Sequence, residues 1–333
     1  MVKFGDVVVE RVRDAKELRR LLPDDLLESD VVIVKPNWFS PHPANFTDAH
    51  ALKILLEALD SRIVVVESYT LEKHDGSMKL EVNGEEVDWR WVMRNPGRGW
   101  VTQEGAWDEI RRQDAWFLDS FGFTDLFEEH DVEYLNVTEE VWSKRTLDPS
   151  KVKAQVERRY SPVSSNAIYG FLPRRLHELR CRPLISLGKV KGVGGSYPSL
   201  TMKNLFGLIP DPLRSWWHGT NDQRLGSSIV DIAKVYHAYF KVYGVCEAFK
   251  DAVVSDPEGE VEVPWGRYSV KEMSGFVSLG RNLVALDAIL CGLMGVDPEA
   301  VNYLQLGGEE FGAYDRENVE KAQDVASVWF PRK

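Results

Sequence analysis

Lysines and glycines carry the chemistry that this sequence advertises. In the stretch Pro183-Leu-Ile-Ser-Leu-Gly-Lys189-Val-Lys191-Gly-Val-Gly-Gly-Ser-Tyr-Pro-Ser-Leu-Thr201-Met-Lys203-Asn204-Leu-Phe-Gly207, an apolar run meets two lysines, a glycine-rich stretch and then a third lysine. The pattern reads as a buried strand, a glycine-rich turn and the opening of a helix. Glycines let backbone N–H groups turn toward a ligand, a helix start offers unpaired donors with partial positive charge, and lysines add full charge. An anion is the expected occupant, and phosphate, carboxylate and sulfate all satisfy these terms. The competing reading is a plain connection whose glycines only make turns, since GVGGS matches neither the P-loop nor the dinucleotide fingerprint.

Other candidates are scattered. Lys35 and Asn37 follow one apolar run, Glu67 and Ser68 follow another, and Thr47 stands before a helical pattern. His218, in Ser215-Trp-Trp-His218-Gly-Thr, titrates near neutral pH and suits a general acid or base on a loop; a surface histidine beside packing tryptophans is the alternative. Asp287 shares the helical stripe of Leu283, Leu290 and Met294. A buried carboxylate there needs a partner: a lysine, a histidine, a metal, or backbone N–H groups of a neighbouring loop that it caps. His42, His50 and Asp48 have no metal-binding spacing, and no metal ligand is assigned. Nucleophile motifs such as Gly-x-Ser-x-Gly and His-Glu-x-x-His are absent.

The elements that must position these residues follow an α/β rhythm. Val31–Val34 and Ile63–Val66 are continuous β-branched runs, the mark of strands covered on both faces, and Leu52, Leu55, Leu56 and Leu59 recur at helical spacing between them. Such a βαβ unit predicts a mostly parallel, Rossmann-like sheet with helices on both faces. Thr47 is the expected N-cap of the first helix. Ligands of open parallel sheets bind beyond the carboxyl ends of the strands, where Lys35, Asn37, Glu67, Ser68, Lys189 and Lys191 all fall.

Residues 68–130 break the rhythm. Lys79 to Trp89 alternates around Asn83-Gly84 as a hairpin does, and tryptophans follow at 89, 91, 100, 107 and 116. This predicts an inserted, lid-like subdomain between a first part at 1–67 and the remainder of the α/β domain at 131–333. Leu118 to Glu129 reads as helix and Val132 to Val137 as strand. Residues 141–160 lack a clear period and read as a second surface excursion. Further on, the pattern predicts a helix over 222–240, a strand within 245–254 and a strongly apolar helix over 283–294.

Composition bounds the function. The 333 residues are 44% hydrophobic, enough for a sizeable core, and carry a net charge of −11 from 41 basic and 52 acidic side chains. That balance disfavours nucleic acid or anionic membrane as the main partner, so an anion site must be local. Cys181, Cys246 and Cys291 are too far apart to suggest a cluster or a structural zinc, and a reducing cytoplasm fits them. No apolar run is long enough to span a membrane, and the N-terminal run is interrupted by Asp6 and so is no signal-peptide core.

Taken in order, Lys35-Pro-Asn37, Thr47, Leu-Ile-Ser-Leu-Gly-Lys189-Val-Lys191, Thr201-Met-Lys203-Asn204-Leu-Phe-Gly207, His218 and Leu-Val-Ala-Leu-Asp287-Ala resemble the DUF362 family, whose members are often described as uncharacterised iron–sulfur centre proteins. The resemblance runs from about residue 30 to 320 and implies a fold more than a reaction. Many relatives carry a ferredoxin-like cysteine module that this chain lacks, so no iron–sulfur cluster is expected and the cofactor is left open. Gly192-Val193 stands where relatives often have Thr-His, and Glu247 where an aspartate is usual.

These residues lead to an expected enzyme that holds a small anionic substrate or phosphate-bearing cofactor. Lys35, Lys189, Lys191 and Lys203 would hold the anion, and Asn37 and Asn204 would orient it. His218 would be the acid or base, with Asp287 as a buried partner fixing a lysine or imidazole. The rival expectation is a noncatalytic anion- or metal-binding accessory protein of a redox pathway. The tryptophan-rich insertion is a candidate docking surface for a protein partner or a second copy.

Overall fold

The computed structural model describes residues 1–82, 85–88, 104–195, 197–263 and 265–330. In chain order its strands are β1 (Val2–Phe4), β2 (Val7–Arg11), β3 (Val31–Lys35), β4 (Arg62–Glu67), β5 (Lys79–Val82), β6 (Glu85–Asp88), β7 (Glu133–Asn136), β8 (Pro183–Lys189), β9 (Lys191–Val193), β10 (Lys241–Ala248), β11 (Asp251–Ser255), β12 (Val261–Val263), β13 (Gly266–Glu272) and β14 (Phe276–Gly280). Eight of them form one mixed sheet in the order β1-β2-β14-β10-β8-β3-β4-β7. Its five-strand centre, β10-β8-β3-β4-β7, is parallel throughout, and β14 joins β10 antiparallel.

The β-branched runs make this centre because every residue of β3 is buried. Val31 and Ile33 face one apolar cluster, with the helices Leu225–Tyr239 and Leu283–Met294; Val32 and Val34 face the other, with Leu52 and Leu55 of the helix Ala49–Ala58. Alternate side chains therefore anchor helices on opposite faces. The chain runs from β3 to β4 to β7 on one side, then returns to place β8 on the other side of β3. The strand order reverses between β3 and β8, whose carboxyl ends carry Lys35 and Lys189.

Several sequence expectations are corrected. The helix after β3 is capped by Asp48, whose side chain accepts from the Ala51 N–H at 2.8 Å, and not by Thr47. Thr47 is turned back instead: its hydroxyl accepts from the Asn37 N–H at 3.2 Å. Lys191–Val193 is a strand, not a turn, and joins β11, β12 and β13 in a second sheet. The single strand expected within 245–254 is divided between the two sheets, as β10 and β11. Residues 141–160 include the whole helix Pro149–Val156 and the end of Val137–Trp142.

The expected hairpin is present as antiparallel β5 and β6. Its Asn83-Gly84 turn and Trp89, Trp91 and Trp100 lie outside the described residues. Within the same stretch, the helix Glu104–Ser120 sends Phe117 into the apolar cluster of Val32 and Val34, so this part of the chain packs on the main sheet. Trp107 stacks on Trp142 with ring centroids 4.6 Å apart, and Trp116 meets Phe121 edge-on. No helix of the described residues is long and apolar enough to cross a membrane.

Candidate active site at the strand ends

Strand register brings the expected residues together. Lys35 ends β3 and Glu67 ends the adjacent β4; Lys35 Nζ donates to Glu67 Oε1 at 2.5 Å, both side chains being fully buried. Burial pulls the Lys35 ammonium below the ordinary lysine range, and Glu67 opposes that pull. Glu67 also accepts from the backbone N–H groups of Trp38 and Ser68, at 3.2 and 2.9 Å. One strand further, Lys189 lies beside Glu247 in the β8–β10 register, 3.3 Å from its carboxylate and 2.8 Å from that of Asp251. Burial opposes the charge of Lys189, but these two carboxylates raise it above the ordinary value.

Two asparagines bridge the elements. Asn204 donates to the Lys35 carbonyl at 2.8 Å and to Ser186 Oγ at 3.0 Å, while its own oxygen accepts from Asn37 at 3.2 Å. Asn37 in turn accepts from Lys191 Nζ at 2.7 Å, and the Asn45 carbonyl accepts from the same ammonium at 3.2 Å. Lys191 is buried, and no carboxylate of the described residues pairs with it. Burial, with Lys203, Lys189 and Lys35 as neighbouring charges, pushes it down to about 7.

Lys203 is the partly exposed member. Its ammonium sits 4.8 Å from the centre of the Tyr197 ring and has no ion pair or hydrogen bond among the described residues. Burial pushes it down to about 8, and Asp222 opposes this. The Tyr197 hydroxyl beside it is buried without a partner. His218 stands at the same edge, partly exposed, with Nδ1 2.7 Å from Asp222 Oδ1 and its ring edge-on to Phe206. Burial lowers its pKa, Lys203 and Arg214 add to that, and Asp222 works against it. Lys35, Lys189, Lys191 and Lys203 therefore share one region, with Lys203 and His218 at its open edge. Hollows of about 370 and 480 Å³ lie elsewhere, beside Tyr243 and beside Arg158.

Of the partners that the stripe left open for Asp287, the structure has the backbone N–H groups of another segment. Its carboxylate accepts from the Thr201 N–H and hydroxyl at 3.0 and 2.5 Å, from the Met202 N–H at 2.9 Å and from the Tyr303 hydroxyl at 3.4 Å. It caps the short helix Thr201–Asn204, and neither a lysine nor an imidazole is its partner. This occupies N–H groups that the sequence offered to an anion, leaving the lysines as the donors. Ser68 also serves the framework: its hydroxyl donates to the Gly207 and Ile209 carbonyls and accepts from Arg214.

The family model described as a domain of unknown function, DUF362, matches residues 32–292, from the first buried strand through the helix of Asp287. The chain belongs to the DUF362 family. Each lysine of the strand-end cluster lies within the matched stretch, as do Asn37, Asn204 and His218. No curated protein and no solved structure matches the chain.

Sequence reasoning missed Arg214, Asn45, Ser186 and Tyr197. Ser186 and Tyr197 lie within the lysine- and glycine-rich stretch but carry no signal of their own, and Arg214 and Asn45 join the cluster through contacts between residues distant in the chain.

Proposed function

We propose that this DUF362 protein is an enzyme that binds a small anionic substrate or phosphate-bearing cofactor at the carboxyl ends of β3 and β8. The observation that carries the reading is the unequal pairing of its four lysines. Lys35 and Lys189 have carboxylate partners and serve as framework. Lys191 and Lys203 have none among the described residues, and taking an unpaired cation out of water, almost wholly for Lys191 and in part for Lys203, is costly unless it sheds its proton or gains an anion. A bound oxyanion supplies the missing charge and restores both ammonium groups.

In this reading Asn37 and Asn204 set the direction of Lys191, and His218, held by Asp222, exchanges a proton with the substrate at the open edge. Asp287 acts through Thr201 by fixing the helix that carries Lys203. Proton transfer, isomerisation, elimination and group transfer are all within reach of such a set. A Rossmann-like use of the sheet, with the ligand where strand order reverses, goes with it. The net charge of −11 supports a small local anion over nucleic acid, and the separated cysteines support a cytoplasmic setting.

The test pairs two substitutions. Lys203→Gln should weaken binding of sulfate, phosphate or carboxylates, while His218→Gln should keep binding and lose turnover in a screen of phosphorylated and carboxylated metabolites. Wild-type affinity in the first would remove the basis of the reading. Binding without turnover across the screen would assign a noncatalytic anion carrier instead.

A further inference from the structure

Arg214 belongs to no motif, yet it is 5% exposed and lies within electrostatic reach of Lys35, Glu67 and His218. Its Nη2 donates to Ser68 Oγ at 2.6 Å and to the carbonyls of Gly207 and Tyr69 at 3.1 and 3.3 Å. Its Nε is buried with no hydrogen-bond partner. No described carboxylate forms an ion pair with it: Asp211 instead accepts from the Leu213 N–H, and Glu67 is taken by Lys35. The backbone holds Arg214 at φ 55° and ψ −3°, a left-handed conformation that is uncommon for a side chain of this size. Strain of this kind persists where the surrounding structure fixes a group for a task.

Three cations at this end of the sheet thus lack a contacting carboxylate: Lys191, Lys203 and Arg214. Electrostatic reach links Arg214 to Lys35, Lys35 to Lys191 and Lys191 to Lys203, and both Arg214 and Lys203 act on His218. A monoanion would leave most of this charge unmatched. The Arg214 guanidinium keeps its charge at any working pH and has one buried donor, the Nε–H, that the described residues leave free for an oxyanion oxygen.

We propose that Arg214 is a further ligand-binding residue of this site and that the ligand presents a doubly charged oxyanion, as a phosphate monoester or a short dicarboxylate does. This rests on the anion-site reading above and narrows its substrate class. Nη2 keeps its framework contacts while the Nε–H donates to one oxygen of the ligand, and Lys191 and Lys203 supply the balancing charge.

Calorimetric titration of the full chain with two dianions, sulfate and malonate, and two monoanions, nitrate and acetate, tests it. The wild type should bind its better dianion at least about tenfold more tightly than either monoanion, and Arg214→Gln should remove about that factor and most of the preference. Arg214→Lys should restore only part, because lysine keeps the charge but has no donor at the Nε position. A preference for sulfate assigns a phosphoryl-like group, and one for malonate a dicarboxylate; either supports the proposal. A folded Arg214→Gln protein with wild-type dianion affinity would overturn it, as would a wild type that binds nitrate as well as sulfate. The wild-type ratio decides even if Arg214→Gln does not fold. If Lys203→Gln loses sulfate while Arg214→Gln keeps it, the assignment of Arg214 fails and the anion site stands; if neither variant changes sulfate binding, the anion site itself fails.

Discussion

Asp287 and Thr201, 86 residues apart in sequence, are joined by a 2.5 Å hydrogen bond that fixes the start of the lysine-bearing helix. Burial raises the Asp287 carboxyl to about 6 in spite of its donors. A carboxyl held above its unfolded value of 3.8 binds its proton more tightly in the folded chain. Its contribution is therefore most favourable below the unfolded pKa and declines as pH rises to the folded one, by about 3 kcal/mol in all. Asp287→Asn removes that titration. The stability of the wild type relative to the variant, from urea midpoints at successive pH values, should fall between about pH 4 and pH 6 and level off above. A difference that does not change with pH would show that Asp287 is not the titrating group.

Gly207 is where the Lys35–Glu67 pair needs room. A Cβ at Gly207 would lie 2.7 Å from Lys35 Nζ and 3.0 Å from its Cε. Lys35 is buried and paired, so it cannot swing aside without breaking its ion pair. Gly207→Ala should cost about 2–4 kcal/mol in chemical denaturation. Gly308→Ala is the control: its nearest neighbour would be 3.6 Å away, within the helix Asn302–Phe311, and it should be neutral or gain up to about 1 kcal/mol. Equal effects at the two glycines would contradict the packing account.

How much of this was legible beforehand depended on the range of the contacts. The Val31–Val34 and Ile63–Val66 runs announced buried parallel strands because both faces of each are covered. Residues directly after such strands then pointed to Lys35, Glu67 and Lys189 without any knowledge of their partners. Asp287 was legible as an oddity on an apolar stripe, but its capping of Thr201 depends on how two distant segments meet. The same holds for Lys191 and Asn37, 154 residues apart. The strand Lys191–Val193 was hidden because three residues around a glycine carry no period, and the pairing that makes them a strand comes from β11. Arg214 gave no signal, since burial in the absence of a motif is a property of the fold alone.

Lys191 makes a prediction for the chain without ligand. Its folded pKa of about 7 lies far below the value of 10.5 expected when unfolded, so between the two the unfolded chain holds more protons. Stability should therefore rise with pH from about 7 to about 10, by on the order of 4 kcal/mol from this residue. Lys191→Met should flatten that rise in urea titrations without added anion. An unchanged slope in the variant would mean that Lys191 keeps its proton and its charge is already met.

Lys191 and Lys203 together allow the most direct measurement of the central claim, that an anion supplies the charge they lack. Sulfate keeps its charge across neutral pH, so any pH dependence of its binding belongs to the protein. Calorimetric titrations in buffers of different ionisation enthalpy, from about pH 6 to pH 9, should show affinity falling as pH rises past about 7 to 8, with protons taken up on binding as Lys191 and Lys203 regain their charge. Sulfate that fails to bind, or binds with the same affinity and no proton uptake throughout, would contradict it.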